Sequence, residues 1–268
     1  MRKVLPLVVG SVLLSAALAA AQEPVPPGSI GFPGSIWVTA GTVGPAEPEN
    51  TLGQTAIEQG ITVWRDGSWF LTPFVGISAM TDSYGYDWNN RRPATIGVKL
   101  QRLIGNGVVS AGGGVMFERN PASGRTRHPS AFVNYWAGWQ GDASAQGAGW
   151  PNGLPGSINA STGLLTGRDP HNWMTSVTVQ QGAVVHRWRG LTTVPYGSLG
   201  VSFDTKDRTW QNRVTSEAGV KLARAFTGGI VEAGVAQRHQ YERLTGRRSM
   251  GPALFANVWM GWNPNTVR

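Results

Sequence analysis

Residues Met250–Asn263 read Met-Gly-Pro-Ala-Leu-Phe-Ala-Asn-Val-Trp-Met-Gly-Trp-Asn. Leu254, Ala256, Val258, Met260 and Trp262 make one unbroken apolar parity, and Phe255, Asn257, Trp259 and Gly261 make a mixed one. Successive residues of a strand face opposite sides, so the segment presents one apolar and one mixed face. It lies almost at the C-terminus, where a barrel has its closing strand. The fold turns on whether the rest of the chain repeats this pattern.

It does so many times. Ile36, Val38 and Ala40 alternate with Trp37, Thr39 and Gly41 in Ser35–Val43. Gly53–Arg65 sets Ile57, Ile61 and Val63 against Gln54, Glu58, Gly60 and Thr62, although Gln59 interrupts the apolar face. Trp69–Met80, Pro93–Leu103, Val108–Arg119, Ser130–Gln140, Trp173–Trp188, Leu191–Thr205, Trp210–Ala225 and Ile230–Leu244 follow the same plan. Gly156–Thr166 alternates poorly. An apolar stripe at helical spacing would break these rows, so the expectation is an all-β chain with one repeating hairpin plan. Asp66-Gly67 and Asn106-Gly107 are tight hairpin signals.

With the first strand running outward, Gly44–Leu52, Thr81–Arg92, Asn120–Pro129, Gly167–Asn172, Lys206–Thr209 and Thr245–Ser249 become connections at one end. Asp66-Gly67, Asn106-Gly107, Arg189-Gly190 and Thr227–Gly229 become tight turns at the other. The long Gly141–Pro155 is an exception on the tight side. Counting Gly156–Thr166 gives about twelve strands; ten is the alternative. The expected fold is an antiparallel up-and-down transmembrane β-barrel over residues 35–262.

Met1-Arg2-Lys3, an apolar run to Ala20 and the exit Ala19-Ala20-Ala21 read as a signal peptide over residues 1–21. Pro24, Pro26, Pro27 and Pro33 make residues 22–34 an extended leader, and residues 263–268 form a tail expected on the periplasmic side. The chain has no cysteine, which excludes disulfides and thiol chemistry. Charged residues are 14% of the sequence, against about 25% in soluble proteins, which favours an exterior that is not all water. The net charge of +8 suits anionic surroundings such as lipid phosphates or acidic glycans. Nucleic acid is an unsuitable partner for an exported chain whose arginines are scattered.

The polar parity offers Glu58, Lys99, Gln101, Glu118, Arg213, Glu217, Lys221, Glu232 and Arg238 as lumen residues. They would either line a selective passage or fill the interior with ion pairs. Trp69, Trp139 and Trp262 at one set of strand ends, and Trp173 and Trp210 at the other, are expected at the membrane boundary. Arg91, Arg92, Arg125, Arg127, Arg247 and Arg248 fall in the expected outer loops, where they could meet phosphates. Neither the four histidines nor any motif suggests a metal, a cofactor or a nucleophilic elbow. Asp82, Asp87, His128, Asp169 and His171 in loops fit turns better than acid–base catalysis. Gly112-Gly113-Gly114 lies mid-strand with no helix after it, which fits bending or lumen space better than phosphate binding.

Together the signal peptide, the alternating strands and the missing cysteine resemble small bacterial outer-membrane β-barrels of the porin-like class. That resemblance implies a non-enzymatic barrel in the outer membrane. It would contact lipid and lipopolysaccharide and pass or dock small polar or saccharide solutes. The endings Tyr241–Leu244 and Trp259–Trp262 are also similar to barrels that accompany exopolysaccharide export, including cellulose secretion. A soluble β-sandwich binding carbohydrate through its tryptophans is the alternative from another class.

Overall fold

The computed structural model describes residues 31–86, 89–120, 124–139, 153–165, 171–208 and 211–262. The signal peptide, most of the extended leader and the tail 263–268 lie outside these residues. Fourteen antiparallel strands run through the described chain. They are β1 (Gly34–Gly44), β2 (Glu47–Gly60), β3 (Trp64–Asp66), β4 (Trp69–Asp82), β5 (Arg92–Ile104), β6 (Gly107–Asn120) and β7 (Gly124–Trp139). Then come β8 (Gly156–Leu165), β9 (Asn172–Gly182), β10 (His186–Trp188), β11 (Leu191–Asp204), β12 (Arg213–Phe226), β13 (Gly229–Glu242) and β14 (Arg248–Trp262).

β3 and β10, three residues each, are hairpin arms beside β4 and β11. The other twelve close into a ring, β9 pairing with β11 and β14 with β1. A closed ring has no free sheet edges. It also rules out the sandwich alternative, since there are no two apolar faces to pack together. The apolar parity points outward: Ile77, Ile96, Val235 and Leu254 are 61%, 57%, 55% and 56% exposed. Leaving so many aliphatic side chains uncovered is costly in water and favourable in lipid. The protein has the build of a transmembrane β-barrel.

Several expectations are corrected. Gly44–Leu52 is not a loop, because the β1–β2 ladder runs on to Gly44↔Glu47. Asn120–Pro129 is likewise mostly strand, with Arg119↔Arg125 and Phe117↔Arg127 paired across β6 and β7. The far-rim connections are therefore shorter than expected, and the contrast between the two rims is weaker. Gly53–Arg65 and Trp173–Trp188 are each interrupted, after Gly60 and after Gly182. A side chain at Gly60 would press on Thr72 and the Pro73 carbonyl, and one at Gly182 on Val194 and the Pro195 carbonyl. The chain approaches its neighbour too closely there for any residue but glycine. β12 begins at Arg213 rather than Trp210, which lies outside the described residues.

The breaks after Gly60 and Gly182 belong to a larger regularity that strand-by-strand reading misses. A shift of 122 superimposes Pro33-Gly34-Ser35-Ile36 on Pro155-Gly156-Ser157-Ile158 and Gly97-Val98-Lys99-Leu100 on Gly219-Val220-Lys221-Leu222. After one extra residue in the connection before β14, the shift is 123. Phe132-Val133-Asn134-Tyr135-Trp136-Ala137-Gly138-Trp139 then meets Phe255-Ala256-Asn257-Val258-Trp259-Met260-Gly261-Trp262. The hydrogen-bond register obeys the same shifts. Gly60↔Phe74 matches Gly182↔Tyr196, and Lys99↔Gly112 matches Lys221↔Gly234. Even the closing seam has a counterpart, Gly41↔Phe255 in β1–β14 matching Gly163↔Phe132 in β7–β8. The barrel is two six-stranded repeats, β1–β7 and β8–β14, related by a pseudo-two-fold axis along the lumen.

Both seams are fastened alike on the outer face. The Trp262 indole N–H donates to Gln59 Oε1 at 2.9 Å, and the Trp139 indole N–H to Gln181 Oε1 at 3.1 Å. Each ring lies across a glycine of the intervening strand, Gly34 or Gly156, where a Cβ would overlap it. Gln59 therefore breaks the apolar row because it holds an indole. Gly34→Ala and Gly156→Ala are each expected to cost about 1–3 kcal/mol through overpacking. The check is the temperature at which the barrel loses its fast gel migration. Equal losses support equivalent seams; no loss from either contradicts the packing.

Candidate functional site

Every lumen residue expected from the sequence, from Glu58 to Arg238, lies on the inward parity of its strand, but the two repeats use theirs differently. In the second repeat, Lys221 Nζ donates to Glu232 Oε2 and to Gln180 Oε1, both at 2.7 Å. Asn257 Nδ2 donates to the other oxygen of Glu232 at 3.0 Å, and its own carbonyl accepts from the Thr39 hydroxyl at 2.5 Å. Arg238 Nε donates to Glu217 Oε1 at 2.5 Å, and Tyr196 donates its hydroxyl to Glu217 Oε2 at 3.3 Å. Arg238 also reaches the carbonyls of Thr42 and Val43 at 3.2 and 3.3 Å. These lie where the β1–β2 register slips, so the arginine satisfies backbone oxygens that an irregular ladder leaves over. The network runs from β9 round to β1 and places its ion pairs on that side of the lumen.

The first repeat keeps only part of this design. Lys99 pairs with Glu58 and stands over the Phe74 ring at 5.6 Å, as Lys221 stands over Tyr196 at 5.5 Å. Phe74 meets Phe132 edge-on at 6.0 Å, as Tyr196 meets Phe255 at 5.9 Å. Where the second repeat has Glu217, Glu232 and Arg238, however, the first has Thr95, Ser110 and Met116. A cavity of about 500 Å³ occupies the space, with Trp37, Phe74, Lys99, Phe132 and Asn134 among its lining. Gln101 faces Ser110 on the same wall. Arg213 opens β12 opposite Glu242. Glu118 lies two residues beyond Met116 towards the far rim, and His128 is the cross-strand partner of Met116. Glu118 Oε2 and His128 Nε2 are buried without a partner among the described residues.

At the rim where β1 begins and β14 finishes, the repeats meet. Trp136 of β7 and Trp259 of β14 lie half a ring apart, yet their rings stack across the lumen with centroids 6.2 Å apart and planes inclined by 20°. They are related by the pseudo-two-fold. Each ring is folded over the glycine two residues on, Gly138 or Gly261, where a Cβ would come within 3.0 and 3.1 Å. They remain 46% and 43% exposed, so the pair is a bar across an opening rather than part of a packed core. The bar was not foreseen. Its signal was the shared Phe-x-Asn-x-Trp-x-Gly-Trp at residues 132–139 and 255–262.

The remaining expected residues are spread around the barrel. Trp69 and Trp173 are exposed at opposite rims, Trp69 under the Arg102 guanidinium. Of the arginines expected in loops, Arg92, Arg125, Arg127 and Arg248 are in strands, and Arg91 bridges Met80. Arg127 and Arg248 cover Phe117 and Tyr241. Arg91 and Arg247 are the two of the six that lie in connections, as expected. Asp82 accepts from the Tyr86 amide and from Asn89 and Asn90 at the far rim. Asp204, its repeat partner, accepts from the Arg208 amide, Asn172 and Asn212. These carboxylates hold turns together. Among the described residues no three His, Asp or Glu side chains are grouped to hold a metal ion.

No family model matches the chain, and no curated protein does. Several solved structures match it over most of its length. The beta domain of the Bordetella autotransporter Brka is 13% identical, with 86% of this chain and 98% of that one covered and a TM-score of 0.40. An outer membrane channel from Pseudomonas putida F1 is 9% identical, with 90% and 97% covered and a TM-score of 0.42. The KdgM porin is 9% identical, with 84% and 98% covered and a TM-score of 0.39.

Proposed function

We propose that this protein is a non-enzymatic pore of a bacterial outer membrane that passes small polar solutes. The observation that carries the reading is the unfilled, polar-edged half of the lumen. An eight-stranded barrel is just filled by its own side chains, whereas twelve strands leave room. Here the ion-paired network takes one side and leaves a cavity of about 500 Å³ on the other. The apolar exterior suits lipid. The signal peptide read over residues 1–21 fits export followed by cleavage. Tight turns at 105–106 and 227–228 favour the terminus-bearing rim facing the periplasm. Arg127, Arg247 and Arg248 would then lie on the outer side, within reach of lipopolysaccharide phosphates.

The test is reconstitution of the mature chain in planar bilayers and in vesicles. Discrete conductance steps, with vesicle swelling in small polar solutes, are expected. A barrel that inserts and migrates as folded but carries no current and admits no solute would sink the reading.

A further inference from the structure

The two repeats place equivalent inward positions on opposite walls, and the sequence treats those positions oppositely. Glu217, Glu232 and Arg238 extend into the second repeat's half of the lumen, each engaged in an ion pair. Their counterparts Thr95, Ser110 and Met116 have no charge, and all three line the cavity. The open space is therefore what the barrel keeps when one of two equivalent sites is filled by the protein itself.

We propose that this half-lumen is a binding site for a neutral, saccharide-like solute, and that passage through the barrel runs off-axis along the β1–β7 wall. The proposal rests on the pore reading for the passage, but not for the binding. The chemistry of the lining selects the class. Phe132 and Trp37 offer apolar ring faces, onto which the C–H face of a sugar ring can lie, and Phe74, itself buried under Lys99, backs Phe132. Glu58, Lys99 and Asn134 offer acceptors and donors for hydroxyl groups at the edge of those faces. The charged residues of the lining, Lys99 and Glu58, neutralise each other, so the lining itself presents no unpaired charge to an ionic solute. A ring with one apolar face and a hydroxylated edge satisfies both halves of the lining. Trp136 lies two residues beyond Asn134 towards the terminus-bearing rim, so the Trp136–Trp259 bar lies on the rim side of the site.

The repeat also supplies the decisive variants. Thr95→Glu with Met116→Arg copies the second repeat's ion pair into the first and should fill the cavity without leaving an unpaired charge. Glu217→Thr with Arg238→Met does the reverse. Sucrose is the neutral probe, with gluconate and glucosamine as charged comparators. Binding to the detergent-solubilised barrel is read by saturation-transfer NMR, and passage by vesicle swelling. Sucrose should receive saturation from the wild type and not from T95E/M116R, folding of each variant being checked by gel migration. The comparators should give weaker signals than sucrose. Swelling in sucrose should fall several-fold in T95E/M116R and rise in E217T/R238M.

No saturation transfer from the wild type, equal transfer to all three solutes, or unchanged transfer after filling would overturn the site. If T95E/M116R does not fold, E217T/R238M still decides the path, since unaltered swelling would contradict one open and one filled half. Sucrose binding to a barrel with no conductance would refute the pore and leave the site standing. Conductance without sucrose binding would do the opposite.

Discussion

Arg238→Ala is expected to destabilise the folded barrel by about 3 kcal/mol, the low end of the range for breaking a buried ion pair because the pair keeps some contact with water. The alanine would strand Glu217 at a site where its side chain is only 15% exposed. It would also leave the Thr42 and Val43 carbonyls without their donor at an irregular part of the ladder. Most of the cost is the desolvated carboxylate, so removing both charges should cost less than removing one. Glu217→Thr with Arg238→Met, the pair that the first repeat uses at Thr95 and Met116, should recover much of the loss. Denaturant unfolding in lipid or detergent gives the cycle directly. If the double variant is as unstable as the single one, the ion pair is not what holds this side of the lumen.

The repeat that makes such a cycle possible was open to inspection in the sequence, and parity hid it. Alternation tells which way a side chain points within its own strand, and it was sufficient for the all-β class, the outward apolar face and the inward polar set. Gly156–Thr166, which alternates poorly and was counted to reach twelve, is strand over Gly156–Leu165. Parity carries no information on which inward residues meet across the ring. That depends on closure and on the register of every strand between. Glu58 with Lys99 and Glu217 with Arg238 lie two strands and one strand apart, so their pairing follows only from the ladders. Charges and turn residues also misled at the far rim. Arg125 and Arg127 fell in the expected connection Asn120–Pro129, but β7 pairs with β6 through Pro129, opposite Val115. Proline is tolerated within a ladder where its missing N–H is not required. Gln59 looked like a defect in an apolar row, yet its Oε1 accepts the Trp262 indole N–H across the closing seam.

Trp136 and Trp259 are where this blindness mattered most, because Trp259, on the lumen side, did not fit a membrane-boundary role. Their stacking gives the largest functional effect expected of any substitution here. Two aromatic rings meeting across an opening reduce it more than any pair of wall residues, and an apolar constriction also discourages water from filling it. Trp259→Ala should raise single-channel conductance several-fold, and Trp136→Ala should do the same from the opposite wall. The double variant should add little, because the bar is one object and losing either ring opens it. Additive increases would mean that the rings obstruct independently and do not act as a stack. An aromatic pair contributes only about 0.5–1.5 kcal/mol beyond its buried area, so all three variants should still fold and migrate as closed barrels. Trp136→Phe, which keeps a smaller ring in place, should fall between wild type and alanine. A double alanine variant that inserts normally and conducts like the wild type would show that the passage bypasses this rim. It would move the constriction up to the Lys99–Glu58 level, where Phe74 and Phe132 already narrow the open half.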